Sequence, residues 1–324
     1  MLLIVDKVYN TKADMVQAEL SIIILSYNTK QITLDAIESI ERNYLKEVEE
    51  GEFEIIVADN SSTDGSLQAF KEYKKKTKIK TLHVVDNDGN IGFSAGNNKG
   101  VPYAKGRYVL FLNPDTIVYP RTLTYILEFM DAHPTVGASS CKLINKDGAL
   151  DFNCHRGFPT PWNSFCYFIG LQRLFPKSRW FAGYTQGWKD LNTNHEVDAI
   201  EGAFMLMPRF VGEKVGWWDE DYFFYGEDLQ FSYDIRKLGY KIYYIGEVSI
   251  MHIGGAASGI KKKTANITIA NVETKRKLQK ARFEAMKIFY TKNHEKKYPA
   301  IIKWIMFSGI NYLEKKTLAG IKVS

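Results

Sequence analysis

The chain has 324 residues, 45% hydrophobic and 25% charged, which suits a folded globular protein and excludes a disordered or fibrous one. Its net charge of +6 is unevenly spread: from Lys261 onward 16 Lys and Arg face 4 Asp and Glu, a balance of +12, so the preceding residues carry −6. Cys141, Cys154 and Cys166 are odd in number and lack metal-ligand spacing, which supports neither a disulfide framework nor a zinc site and fits a reducing cytoplasm.

Met1 to Val5 are apolar, but Asp6 and Lys7 end the run far short of a signal peptide or membrane span, so 1–19 read as an extension or edge strand. Leu20 to Leu25 form a buried strand that ends in Ser26-Tyr27-Asn28. Leu34, Ile37, Ile40 and Tyr44 then recur at helical spacing. A second strand, Phe53 to Ala58, runs into the polar turn Asp59 to Gly65, whose Ser and Asp residues suit the start of the helix carrying Leu67, Phe70 and Tyr73. Thr81 to Val85 give a third strand. The Gly- and Asn-rich stretch Asn87 to Gly100 follows, and its free amides would favour an anion such as a phosphate. No G-x-G-x-x-G follows the first strand, which argues against a dinucleotide site.

Arg107 to Leu112 is a short continuous apolar run, as in a buried parallel strand, and it stops at Asn113-Pro114-Asp115. Ligands of open α/β sheets sit beyond the carboxyl ends of strands, so Asn113 and Asp115 are candidates for a site, with a helix cap as the alternative for Asp115. Pro120 predicts the start of a helix bearing Leu123, Ile126, Leu127 and Met130. Val136 to Leu143 return to the sheet, and Asn145 to Gly148 read as a hairpin turn. Residues 153–195 are aromatic and Gly/Pro-rich without a period, which predicts a cover over the site or a packed insertion. The apolar stretch Val197 to Met207 belongs beside the central strand. Gly216 to Asp228 groups Trp217, Trp218 and Tyr225 with carboxylates ahead of a helix ending near Leu238, with Gly239 as its cap. A strand from Lys241 to Ile245 leads to His252 in a Gly-rich loop.

Taken together, Ser26 to Asn28, Asp59 to Ser66, Asn90 to Asn98, Asn113 to Asp115, Glu201 to Phe204, Gly226 to Asp228 and His252 resemble an inverting glycosyltransferase of family 2, in its bacterial rhamnosyltransferase-like branch. The resemblance spans about residues 20–260. It implies a GT-A fold, a mostly parallel Rossmann-like α/β sheet flanked by helices, with a donor half at about 20–118 and an acceptor half at about 119–260. By the same resemblance Asp59 would accept a hydrogen bond from the pyrimidine of the donor nucleotide, with Asp64 near the ribose. Ser26, Tyr27, Asn28 and Ser61 would belong to the donor site, and Asn90, Gly92, Phe93, Gly96 and Asn97 would line its diphosphate and sugar. Asp115 and His252 would hold Mg2+ or Mn2+, with Asn113 where many members carry a first Asp. Asp228, beside Glu227, would be the general base, and Glu201, Gly202, Trp217, Trp218 and Tyr225 would meet the acceptor. Proximity of Trp217, Trp218 and Tyr225 is expected to raise the pKa of Asp228.

The implied activity is metal-dependent transfer of a sugar, L-rhamnose from dTDP-L-rhamnose or another from a UDP-sugar, onto a glycan or polyprenyl-linked acceptor in cell-surface polysaccharide synthesis. A nucleotidyltransferase would want a basic, Gly-rich triphosphate loop after the first strand, where this chain has Ser26 to Thr29. A non-catalytic glycan-binding scaffold would make no joint demand for Asp115, Asp228 and His252. The Lys-rich region 261–324 places Leu278, Phe283 and Ile288, then Ile301 to Phe307 with Trp304, at helical spacing. That predicts a helix lying on an anionic membrane at the inner face of the cell, with a solvated charge run or a homo-oligomer interface as alternatives and nucleic acid disfavoured.

Overall fold

The computed structural model describes residues 18–255 and 272–321. The expectations for 1–17 and 256–271 therefore lie outside the described residues. In chain order the elements are β1 (Leu20–Ser26), α1 (Lys30–Asn43), α2 (Leu45–Glu50), β2 (Phe53–Asp59), α3 (Ser66–Lys74), β3 (Leu82–Asp86), α4 (Phe93–Gly100), β4 (Tyr108–Leu112), β5 (Thr116–Val118), α5 (Thr122–Ala132) and β6 (Val136–Ile144). There follow α6 (Pro161–Phe168), α7 (Leu171–Leu174), β7 (His195–Val197), β8 (Phe204–Pro208), α8 (Arg209–Val215), α9 (Glu227–Lys237), β9 (Lys241–His252), α10 (Val272–Asn293) and α11 (Ala300–Ala319).

The strands form one mixed sheet in the order β3-β2-β1-β4-β8-β6-β9-β5, with β7 also on β9. β1 pairs in parallel with β2 and β4, and β2 with β3. All residues of β1, β2 and β4 are buried, as their unbroken apolar runs require of strands covered on both faces. The second half departs from the parallel rule. β8 runs antiparallel to β4, β6 lies parallel to β9, and β5 is antiparallel to β9.

Three local expectations change. Pro120 lies in a turn: Arg121 takes a left-handed φ of 65° and the helix begins at Thr122. The stretch Val197 to Met207 is two elements, because Val197 ends β7 and only Phe204 onward pairs with β4. Asp115 is followed by a short strand, β5, in place of a helix to cap.

The basic C-terminal region folds as a hairpin of α10 and α11. α10 buries Leu278, Phe283 and Phe289, and Lys292 pairs with Asp219 and Asp221, so it is anchored to the loop preceding α9. On α11 the aromatics Trp304 and Phe307 have different surroundings. Phe307 stacks edge-on against Tyr290, with ring centroids 5.8 Å apart, while Trp304 stays 67% exposed.

Candidate active site

The parallel register sets Ser26 level with Asp59, and Asp59 level with Asp86, so three strands open on the same crevice. Asp59 is buried, and its carboxylate accepts from the Ser62 amide at 2.9 Å and the Ser62 hydroxyl at 2.6 Å. The Asn28 N–H donates to Ser62 Oγ at 2.8 Å, and Asn28 Oδ1 accepts from the Thr63 N–H at 2.7 Å. These bonds lock the turns after β1 and β2 together, with Asn28 and Ser61 both at positive φ. Burial pushes the Asp59 carboxyl up, its bonds from Ser62 oppose this, and nearby Asp64 and Asp86 add to the rise. Tyr27 is half-buried beside this turn. Asp64 sits on the exposed rim, where it accepts from the Ser66 amide and the Lys30 amide, both at 3.0 Å.

The Gly- and Asn-rich segment divides. Asn90 is exposed at the rim, and Asn60 Nδ2 donates to the Gly92 carbonyl at 2.9 Å. The Phe93 amide donates to the Phe223 carbonyl at 2.8 Å, which ties the donor side to the acceptor-side loop. Gly96 and Asn97, expected at the donor, are taken up by packing. A Cβ at Gly96 would lie 2.7 Å from Leu25 Cδ1, so glycine there permits the close approach of α4 to the sheet, and Asn97 Nδ2 donates back to the Phe93 carbonyl.

Beyond β4 the acids converge. Asn113 is half-buried and bound through its backbone to Ala203. Pairing of Thr116 with His252 brings β5 and β9 together, so His252 Nε2 faces Asp115 Oδ1 at 3.4 Å. His252 Nδ1 faces Asp151 Oδ2 at 3.7 Å, and ligand atoms of Asp151, Glu201 and His252 all lie within 4.8 Å of one another. Both nitrogens of His252 and Glu201 Oε2 are buried without a hydrogen bond. Burial lowers the pKa of His252, but Asp115, Glu201 and Asp151 outweigh it and push it up to about 9. Burial and Asp151 raise Glu201 to about 7, against the pull of His252 and Arg156. In effect an imidazolium holds the carboxylates together. Hard oxygen donors plus one imidazole, gathered within 4.8 Å of one another, fit a divalent cation such as Mg2+ or Mn2+ once the imidazolium gives up its proton.

Glu201 also feels Arg156 and Asp228, which makes it the link to a second group. Asp228 Oδ2 pairs with the Arg156 guanidinium and accepts from the Gly202 amide at 3.3 Å, while Oδ1 accepts from the Leu229 amide at 2.7 Å. Burial works against the charge of Arg156, and Asp228, Tyr184 and Glu201 outweigh it. Glu227, its neighbour in the first turn of α9, is pushed up by burial and by the Asp228 charge. Of the expected acceptor contacts, half-buried Tyr225 supplies, with Gly226, the positive-φ turn that starts α9. Trp218 is a core residue, because its ring packs on Phe93, Phe111 and Phe231, and Trp217 packs on Phe111. Trp218 is thus closed to an acceptor sugar, while Trp217 is half-buried.

Sequence reasoning missed Asp151 and Arg156, and placed Glu201 with the acceptor. Asp151 follows the hairpin turn after β6, with its amide bound to the Leu143 carbonyl at 2.9 Å, so the end of a sheet strand was its available signal. Arg156 pairs backbone to backbone with Ala199, a contact across 43 positions that no local pattern carries.

The family profile of glycosyl transferase family 2 matches residues 21–188, just over half of the chain, and the chain belongs to that family. Among curated relatives, a hexosyltransferase of low-salt glycan biosynthesis from Haloferax volcanii is 29% identical over 237 residues, covering 71% of this chain and 64% of the relative. The L-rhamnosyltransferase of Mycobacterium tuberculosis that acts on N-acetylglucosaminyl-diphospho-decaprenol is 23% identical over 217 residues, covering 63% of this chain and 68% of the relative. Among solved structures, the mannosyltransferase of Pyrobaculum calidifontis in complex with GDP-Man and Mn2+ superposes with a TM-score of 0.53 at 17% identity, over 95% of this chain and 88% of that one. GalNAc-T7 with UDP, GalNAc and Mn2+ gives 0.55 at 16% identity, over 88% of this chain and 52% of that one. The fold is of GT-A type, with α10 and α11 added at its C-terminal end.

Proposed function

We propose that this protein is an inverting, metal-dependent glycosyltransferase that moves L-rhamnose from dTDP-L-rhamnose onto a glycan or polyprenyl-linked acceptor. The observation that carries the reading is the acid group around His252 set directly beside the Arg156–Asp228 pair, with Glu201 between them. Family membership supports sugar transfer from a nucleotide sugar, and the mycobacterial relative supports the rhamnosyl donor and the lipid-linked acceptor.

Asp115, Asp151, Glu201 and His252 would hold the cation, which when bound supplies positive charge to neutralise a departing diphosphate. The rest is the work of the chain. Asp59, at the end of β2, offers a charged acceptor to a pyrimidine N–H. Arg156 and the Gly202 and Leu229 amides orient the Asp228 carboxylate, so one oxygen can take the proton of the attacking acceptor hydroxyl. Glu227, held towards its protonated form, spares that carboxylate a second negative charge at its side. The proposed catalytic region spans about 20–260, with 261–324 as a basic appendage whose α10 braces the loop before Asp228.

Calorimetry with dTDP, UDP, GDP and CDP, with Mn2+ or Mg2+ and again with chelator, tests the reading. Tight metal-dependent preference for dTDP is the expected result. Preference for UDP would replace the rhamnosyl donor, and absence of metal-dependent binding to any of the four would overturn the metal-dependent reading. Asp115→Asn combined with His252→Ala should weaken Mn2+ binding at least tenfold.

A further inference from the structure

From Phe152 to Lys189 the chain carries Arg156, Arg173, Lys177, Arg179 and Lys189 and no Asp or Glu. This stretch is most of 153–195, expected as a cover over the site or a packed insertion, and it turns much of its apolar surface outward. Leu174 is 73% exposed and Trp180 78%, and Trp162, Phe165, Phe168 and Ile169 are each about half exposed. A packed insertion would bury such side chains, and of these six none is buried.

The display is ordered. Thr160 caps α6 by accepting from the Asn163 amide, and Trp162 Nε1 donates to the Trp180 carbonyl at 2.8 Å. Gly157 and Gly183 let two strands of the loop touch, since a Cβ at Gly157 would lie 2.1 Å from the Gly183 carbonyl oxygen. Exposed Arg173, Lys177 and Arg179 stand beside Leu174, Phe175 and Trp180. Interfacial aromatics next to cations without a single acid complement a bilayer whose headgroups are anionic. Among the described residues no helix is long and apolar enough to cross a membrane, so contact would be made in the interfacial plane.

We propose that the α6–α7 segment, about residues 161–181, is a docking surface for an anionic membrane. The α10–α11 hairpin adds to it. Phe158 at the root of the segment lies 5.1 Å from Tyr233 and 6.4 Å from Phe289 of α10 between ring centroids, and α11 exposes Ile301, Trp304, Ile305 and Tyr312. Arg156, the partner of Asp228, lies just before the segment in the chain, so docking brings the bilayer surface within a short stretch of chain from the proposed base. An acceptor anchored in lipid would meet the site from that side.

The full chain is sedimented with vesicles of equal phosphatidylglycerol and phosphatidylcholine, and with phosphatidylcholine alone, independently of any sugar-transfer assay. Wild type is expected to partition at least tenfold more strongly to the anionic vesicles, less so in 1 M salt. Leu174→Ser/Phe175→Ser/Trp180→Ser, and separately Arg173→Glu/Lys177→Glu/Arg179→Glu, should each lose at least tenfold while keeping the wild-type melting temperature. Two results would overturn the proposal: unchanged partition of both variants, with loss confined to Trp304→Ser/Ile305→Ser, or light scattering in which the apolar variant turns a dimer of the free protein into a monomer. The second would assign the patch to another copy of this chain.

Discussion

At the scale of single residues, Arg156 and Asp228 depend on each other. Both side chains are almost enclosed, so removing one partner strands a buried charge. Arg156→Met should lower stability by about 3 kcal/mol, measured by urea unfolding, because an orphaned buried ion is costly. Asp228→Asn is isosteric and keeps a group at that position. It should lower kcat about a hundredfold or more while leaving nucleotide affinity within twofold, and full turnover by that variant would end the assignment of Asp228 as base. Asp228 was legible in the sequence as an acid heading a helix; its partner was not. Its surroundings were only partly legible, since Trp218 is a core residue and Trp217 packs partly against the core, and the charge that Asp228 meets comes from 72 positions earlier.

At the scale of elements, the decisive features are strand ends and the loops that join them. The β1, β2 and β4 runs were readable because strands buried on both faces need unbroken apolar sequence. β5 was not, since three residues bear no period. Its pairing with β9 is nevertheless what carries His252 to Asp115. The link between halves runs through Gly92, which has φ of +94° and whose Cβ would fall 2.6 Å from the Phe223 carbonyl oxygen. Gly92→Ala should therefore cost about 1–3 kcal/mol, from backbone strain and displacement of the Phe93–Phe223 bond. A melting curve checks it, and an unchanged Tm would show that this contact does not hold the loops together.

At the scale of the whole molecule, pH acts through groups of opposite sign. His155 and His294 are buried, and burial pushes each down to about 4, with Lys189 and His195, or Lys297, adding in the same direction. The unfolded chain takes up these protons below about 6.5, so the stability they contribute is intact above that pH and is lost as pH falls towards 4. Glu201 and Glu227, raised by burial, favour the folded state as pH falls, so the histidine effect is best read against wild type. His155→Gln/His294→Gln should gain on wild type by ~1–3 kcal/mol per site between pH 7 and pH 4.5, and a pH-independent difference would contradict the depressed values. The sequence by itself determined the buried strands, the helices between them and the acids at strand ends, because apolar periodicity and turn chemistry are local properties, while the GT-A type of fold followed from the resemblance of its motifs to family 2. Only the tertiary structure decided which acids share a site, where Arg156 goes and which aromatics face out, because β5–β9 pairing and the Arg156–Ala199 bridge join residues far apart in the chain.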